Sequence, residues 1–226
     1  MNLAIIPCKK DSSRLHKKNV QVLNGRTLLE RACDIAVKAV ETGVFDHVVV
    51  SYDYYFSELD KLSSVVIKEM RPESLRNNPN HTTLDVAKEV LRSRKHAQNI
   101  CLLIPASPLR TLRHIVQSRM LMNDDSDRVV MSLLKYQQDP NARLIVDKFG
   151  KIVRVPVPPD IFCLNRIPYI HCGTVLWAKA VWATNAQSWY DSSNIVPYYV
   201  DSGFAWDVND YTDLEISRGL NIKSDT

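Results

Sequence analysis

The sequence contains no apolar run near the ~18–20 residues needed to cross a bilayer, so no membrane partner is expected. Its opening, Met1 to Pro7, is apolar. Lysines follow at once without a cleavage pattern, so it does not read as a secretory signal, and the expected location is the cytoplasm. The cysteines (Cys8, Cys33, Cys101, Cys163, Cys172) are scattered and include no Cys-x-x-Cys pair. That spacing argues against a zinc site or a disulfide framework and predicts reduced thiols in or near the core. The net charge of +4 is too small for a nucleic-acid-binding surface, and no aromatic residue interleaves the clustered lysines. Neither a Walker loop nor a dinucleotide fingerprint occurs, because the required glycine spacing is absent. There is no internal repeat and no low-complexity linker.

What is present is the composition of one globular domain: 226 residues, 45% of them hydrophobic. Leu3 to Pro7, His47 to Ser51, Asn99 to Pro105 and Val129 to Leu133 read as buried strands, and Ser64 to Ile67 as another. Leu28 to Val40 has a helical apolar period, with Thr27 near its N-cap and Gly43 closing it. Further helices are expected over Ser57–Leu62, Thr83–Arg94, Leu112–Met122 and Asp213–Leu220. The alternation predicts an α/β fold with right-handed crossovers and a mostly parallel sheet. From about 130 to 200 the pattern turns irregular and β-rich. A hairpin is expected from Leu144–Val146 and Ile152–Val155 around Lys148-Phe149-Gly150, and a strand over Thr174–Trp177. Residues 1–226 therefore read as a single domain carrying a β-rich extension.

In open α/β sheets ligands lie beyond the C-terminal strand ends. That rule selects the loop after Pro7, the Ser51–Asp53 tip and Ile104–Arg110. In the first of these, Lys9, Lys10, Arg14, Lys17 and Lys18 crowd together with only Asp11 opposing them. With Ser12 and Ser13 they supply the concentrated charge and donors that a triphosphate needs. The alternative for this loop is a solvated basic surface. His171 reads as a structural or surface histidine, and the aromatic concentration of Trp177, Trp182, Trp189, Trp206, Tyr198 and Tyr199 as core or a dimer interface.

Ala4-Ile5-Ile6-Pro7, Ser12, Arg14-Leu15, Lys18-Asn19-Val20 and Leu23-Asn24-Gly25-Arg26-Thr27-Leu28-Leu29 together resemble the opening of the sialic-acid-type cytidylyltransferases. Phe45 to Asp53 looks like that family's second strand, and Arg71-Pro72-Glu73-Ser74-Leu75 resembles its next segment. Leu102 to Thr111 is similar to its L-L-Q-P-T-S-P-L-R-T, and Asp207-Val208-Asn209 with Asp213-Leu214 to its C-terminal motif. The resemblance implies a Rossmann-like nucleotidyltransferase fold and a homodimer, with the 130–200 extension serving dimerisation and the sugar pocket. The implied reaction is attack of a sugar-acid hydroxyl on the α-phosphate of CTP, assisted by Mg²⁺ or Mn²⁺. Carried onto this sequence, Pro7, Cys8, Lys9, Ser12, Ser13 and Arg14 would line the triphosphate. Lys18 would neutralise phosphate charge, and Asn19, Arg71 and Thr83 would contact nucleotide. Lys9, Lys18 and Asp207 would carry the chemistry, and Asp207 with Asn209 would hold metal. Ile104, Ala106, Ser107, Arg110 and Gly173 would border the acceptor, with Arg110 also open to an ion-pair role.

The departures from the family pattern are specific. Lys9 replaces an arginine and loses its bidentate fork. Ser13 replaces a lysine, and Lys10 and Asp11 replace glycines. Asn209 replaces a second metal aspartate, removing a negative charge. Ile104 and Ala106 replace glutamine and threonine, removing groups that would read acyl-sugar hydroxyls and amides. An acceptor other than plain N-acetylneuraminate is expected, such as a deoxygenated relative. The string Ser12-Ser13-Arg14-Leu15 also resembles the 3-deoxy-manno-octulosonate cytidylyltransferases, although their later metal-binding segment is unmatched at Ile104–Arg110. Alternatives are a transferase for another nucleotide, and a nucleotide-binding homologue with weakened catalysis.

Overall fold

The structure, a computed structural model, describes residues 1–12, 14–135, 144–146, 151–154 and 169–220. The chain begins with β1 (Asn2–Cys8), then a hairpin of β2 (Val22–Leu23) and β3 (Arg26–Thr27), α1 (Leu28–Glu41) and β4 (His47–Tyr52). A 3-10 turn (Ser57–Lys61) leads to β5 (Val66–Met70), α2 (Glu73–Arg76), α3 (Thr83–Arg92), β6 (Asn99–Leu102) and α4 (Leu112–Arg119). The second half holds β7 (Arg128–Lys135), β8 (Leu144–Val146), β9 (Ile152–Arg154), β10 (Tyr169–Lys179), α5 (Ala180–Asn185), β11 (Asn194–Tyr199) and α6 (Tyr211–Gly219).

Seven strands form one sheet in the order β11-β7-β10-β6-β1-β4-β5. Only β10 runs against its neighbours; the other pairings are parallel. The period-2 alternation of side chains explains why both faces are covered. Ala4, Ile6, Cys8, Val48, Val50 and Trp177 enter the core beneath α1 and α4. Their neighbours Leu3, Ile5, Val49, Leu176 and Ala178 enter the opposite core beneath α3 and α5. Trp177 is fully buried, stacked 5.2 Å from Phe45, and donates to Ser118 Oγ at 2.9 Å.

Helix α1 starts with the expected cap. Thr27 Oγ1 accepts from Glu30 N–H at 3.1 Å, and Glu30 Oε2 accepts from Thr27 N–H at 2.7 Å, a reciprocal capping box. Gly43 follows its end with φ +75°. Several expected boundaries shift. β5 starts at Val66 rather than Ser64. The regular ladder of β6 ends at Leu102, because Ile104–Ser107 turns away with Ser107 N–H on Ile104 O. The strand around Thr174 is longer than expected and antiparallel, and α5 and β11 were not anticipated. β8 and β9 pair antiparallel as expected, and their connection through Lys148-Phe149-Gly150 lies outside the described residues.

Two features position the site. β1 has β4 on one side and β6 on the other, so the chain reverses its winding there and opens a crevice at the strand ends. A small core of Leu15, Leu23, Leu28, Val208 and Leu214 then binds the loop after β1 to the segment before α6. Among the described residues no helix is long and apolar enough to cross a membrane.

Candidate functional site

A cleft of about 540 Å³ lies beyond the C-terminal ends of β1 and β6. Pro7, Lys9, Asp11, Ser12, Lys18 and Asn19 bound it from the loop after β1. Arg71, Pro79, His81, Thr82, Thr83 and Val86 bound it from the α2–α3 side, and Ile104, Pro105 and Ala106 from the end of β6.

The basic loop is held at both ends by side chains that a reading by charge overlooks. Asn19 Nδ2 donates to Lys9 O at 2.7 Å, and Lys10 N–H donates to Asp53 Oδ1 at 2.7 Å. Asp53 Oδ1 also accepts from Tyr54 N–H at 2.8 Å, so this buried carboxylate serves the loop. Leu15 anchors the loop's middle in the small core. Lys17, at φ 49°, turns the chain through the left-handed region into the 3-10 turn Lys18–Val20. These restraints present Lys18 half-buried. Burial lowers its pKa, as does Arg14, while Asp207 and Asp213 act the other way. Ser13 lies outside the described residues.

Arg71 is 3% exposed and fully engaged. Its Nε donates to Ser51 Oγ at 3.2 Å, its Nη2 to Ser51 O at 2.8 Å, and its Nη1 to His81 Nε2 at 3.3 Å. Burial lowers its pKa, opposed by Asp53 and Cys8, yet a guanidinium remains charged. Thr83 Oγ1 accepts from Trp189 Nε1 at 2.9 Å, leaving its hydroxyl proton for another partner. Trp189 thus belongs to the support of the cleft.

The C-terminal segment meets the cleft wall through Val208 N–H, which donates to Ala106 O at 2.8 Å. Asp207 is exposed, and Asn209 Nδ2 donates to its Oδ2 at 2.9 Å. No group of three or more His, Cys, Asp or Glu side chains stands ready to hold a metal among the described residues. Neither Asp207 nor Asn209 is among the residues lining the cleft, and the Asn209 amide turns its nitrogen to the Asp207 carboxylate. One carboxylate of this kind could hold a Mg²⁺ ion that keeps its waters and takes its remaining ligands from phosphates.

Some expected site residues sit behind the cleft rather than on it. The Cys8 thiol is buried in the core beneath α1, where burial pushes its pKa up to about 12, so its side chain is not a cleft group. Arg110 is likewise turned away from the cleft. Its guanidinium donates to Thr174 O and, at 2.8 Å, to Ile104 O, and burial lowers its pKa to about 10. It borders a separate hollow of about 170 Å³ beside α1, and the described residues give it no carboxylate partner. Ser107 is buried, its hydroxyl without a partner among the described residues. Gly173, at φ +71°, packs over it; a Cβ there would stand 3.2 Å from Ser107 Oγ and 3.7 Å from Ile104 Cδ1. Both residues thus form a second layer behind Ile104. Burial lowers the His171 pKa to about 4, so that imidazole is neutral, and it does not border the cleft.

His81, Thr82, Val86 and Pro79 are cleft residues that the sequence reading missed, while Asp11 and Pro105 fall within the loop after Pro7 and the Ile104–Arg110 segment it selected. The one available signal was the Thr82/Asp85 capping box, which marks where α3 begins and hence where its preceding loop must face the strand ends.

The family model described as cytidylyltransferase matches residues 3–139. The curated CMP-N,N'-diacetyllegionaminic acid synthase of Legionella pneumophila is 25% identical over 197 residues, covering 83% of this chain and 82% of that protein. A solved CMP:2-keto-3-deoxy-manno-octonic acid synthetase, complexed with CTP, superposes with a TM-score of 0.69 at 17% identity over 97% of both chains. A 4-diphosphocytidyl-2C-methyl-D-erythritol synthase from Anaerococcus prevotii does so with a TM-score of 0.63 at 11% identity, over 96% of this chain and 94% of that one. At these identities the structural likeness carries the fold, a mostly parallel nucleotidyltransferase sheet.

Proposed function

The chain belongs to the cytidylyltransferase family, and from that premise we propose that it transfers CMP from CTP to a nonulosonic or related 3-deoxy-ulosonic acid. The acceptor's hydroxyl oxygen forms a bond to the α-phosphorus. The bond from that phosphorus to the bridging oxygen breaks, pyrophosphate leaves with the electron pair, and the hydroxyl proton passes to solvent. Such a transfer needs positioning and charge more than covalent help. The observation that carries the reading is the clamped loop bearing Lys9, Ser12 and Lys18 at the β1/β6 switch point, with buried Arg71 on the same cleft.

In this reading Lys9, Lys18, Ser12 and Arg14 neutralise and orient the triphosphate, and Asn19 acts chiefly by holding Lys9's carbonyl. Arg71 and the free hydroxyl proton of Thr83 serve the nucleoside end. Asp207, with the oxygen of Asn209, would hold Mg²⁺, which when bound supplies charge stabilisation to the phosphates. Ile104 and Ala106 border the acceptor, offering shape in place of hydrogen bonds. A deoxygenated acid therefore fits better than a hydroxyl-rich one. The relative from Legionella pneumophila, named for a legionaminic acid, supports the class of acceptor. The same reading takes the whole chain as one domain that acts in the cytoplasm as a homodimer joined through the 130–200 region.

The direct test is pyrophosphate release from CTP and Mg²⁺ with a panel of nonulosonic and octulosonic acids. Turnover with a deoxygenated nonulosonic acid is expected to exceed that with N-acetylneuraminate. Equal silence with every acid, in a protein that binds CTP, would support the weakened-homologue reading. That reading is favoured by one observation, the Asn209 amide donating to the Asp207 carboxylate.

A further inference from the structure

His81 lies between α2 and α3 and borders the cleft beside Arg71. Its ring is held at both nitrogens, and the chemistry of the partners fixes which one carries the proton. Nδ1 is 2.7 Å from Asn78 O, and a carbonyl can only accept, so Nδ1 bears the hydrogen. Nε2 is 3.3 Å from Arg71 Nη1, and a guanidinium can only donate, so Nε2 is bare. The arrangement is satisfied by the neutral Nδ1–H tautomer alone. An imidazolium would set an Nε2–H against an Arg71 N–H and place two cations in contact.

The surrounding charges come from three elements. Arg71 precedes α2, and Asp53, at the end of β4, faces Arg71. From α3, Asp85 and Lys88 lie close enough to interact with each other, and Asp85 also with His81. The Asp85 carboxyl is held below its usual range first by Thr82 N–H, which it caps at 2.8 Å.

We propose that neutral His81 is a positioning residue that fixes the Arg71 guanidinium and the segment from Asn78 to Thr82 as one wall of the nucleotide site. The inference rests on the cleft being the nucleotide site. Without an acceptor at this position the Arg71 Nη1 donor loses its partner, and the segment carrying His81 loses its tie to Arg71.

Two measurements on the full chain test this. Nitrogen-15 NMR of the histidine rings at pH 8 should show the Nδ1–H tautomer at His81; an Nε2–H tautomer would overturn the proposal. CTP titration at pH 8 is then compared for the wild type, His81→Gln and His81→Phe. Glutamine offers Arg71 an acceptor, so His81→Gln should bind within about threefold of the wild type, whereas His81→Phe should lose about tenfold. Equal losses in His81→Gln and His81→Phe would overturn the proposal. If CTP binds none of them, the nucleotide reading fails, and the ring tautomer still decides whether His81 is the neutral acceptor of Arg71.

Discussion

The wall of the cleft formed by Lys9, Lys18 and Arg71 presents fixed charge, whereas the wall of Ile104, Ala106 and Val86 presents apolar side chains and is hydrogen-bonded only from behind, through the carbonyls of Ile104 and Ala106. The charged wall comes largely from neighbours in sequence, clamped by Asn19 and Asp53. The apolar wall is backed by distant chain. Gly173 of β10 lies behind Ile104, and Val208 is tied to Ala106. A charge contact to a phosphate is strong per residue. Shape against an apolar surface discriminates weakly per group. One wall therefore suits holding a common anionic donor, and the other suits selecting an acceptor.

The sharpest break in this comparison is Lys18→Ala, expected to weaken CTP binding about 100-fold through loss of a charge-assisted contact. Lys17→Ala, at an exposed neighbour outside the cleft lining, should change it by no more than about twofold. Titration calorimetry checks both; equal effects would mean that only the loop's summed charge matters. Next, Gly173→Ala should cost about 2 kcal/mol, since it forces a side chain into the left-handed region and against Ser107. Urea unfolding that leaves stability unchanged would remove the second layer from the account. Asn209→Asp adds a carboxylate and removes the amide that occupies Asp207. Mg²⁺-dependent turnover should rise about tenfold if the site is active but short of charge. A fall in turnover would assign Asn209 a role of its own. The smallest effect is expected from Ile104→Gln with Ala106→Thr, which should shift the kcat/KM ratio about fivefold toward hydroxyl-rich acids. An unchanged ratio would place acceptor choice elsewhere.

The charged wall was more legible in the sequence than the apolar one, for physical reasons. The strand Leu3–Pro7, the cap at Thr27 and the cluster from Lys9 to Lys18 are local patterns. Burial of β1 on both faces needs only its own apolar run. The direction of β10 is a property of its partners β6 and β7, and no local signal separates a parallel strand from an antiparallel one of this composition. β11 was not anticipated; it lies at the sheet edge, where its Pro197 is tolerated. Arg110 was placed beside the acceptor by the resemblance of Leu102–Thr111 to the family motif, with an ion-pair role left open. Its engagement with Thr174 O depends on a residue 64 positions away. His81 has no motif around it, and its role emerges only where Arg71 and Asn78 meet on its ring.

The central claim is that the clamped basic loop and Arg71 hold a cytidine triphosphate. Titration calorimetry of CTP, UTP, GTP and ATP with Mg²⁺ tests it most directly. The account predicts saturable binding of CTP in preference to the other three. Preference for another nucleotide would contradict the assignment of the base, and binding of none would leave the basic loop as solvated surface.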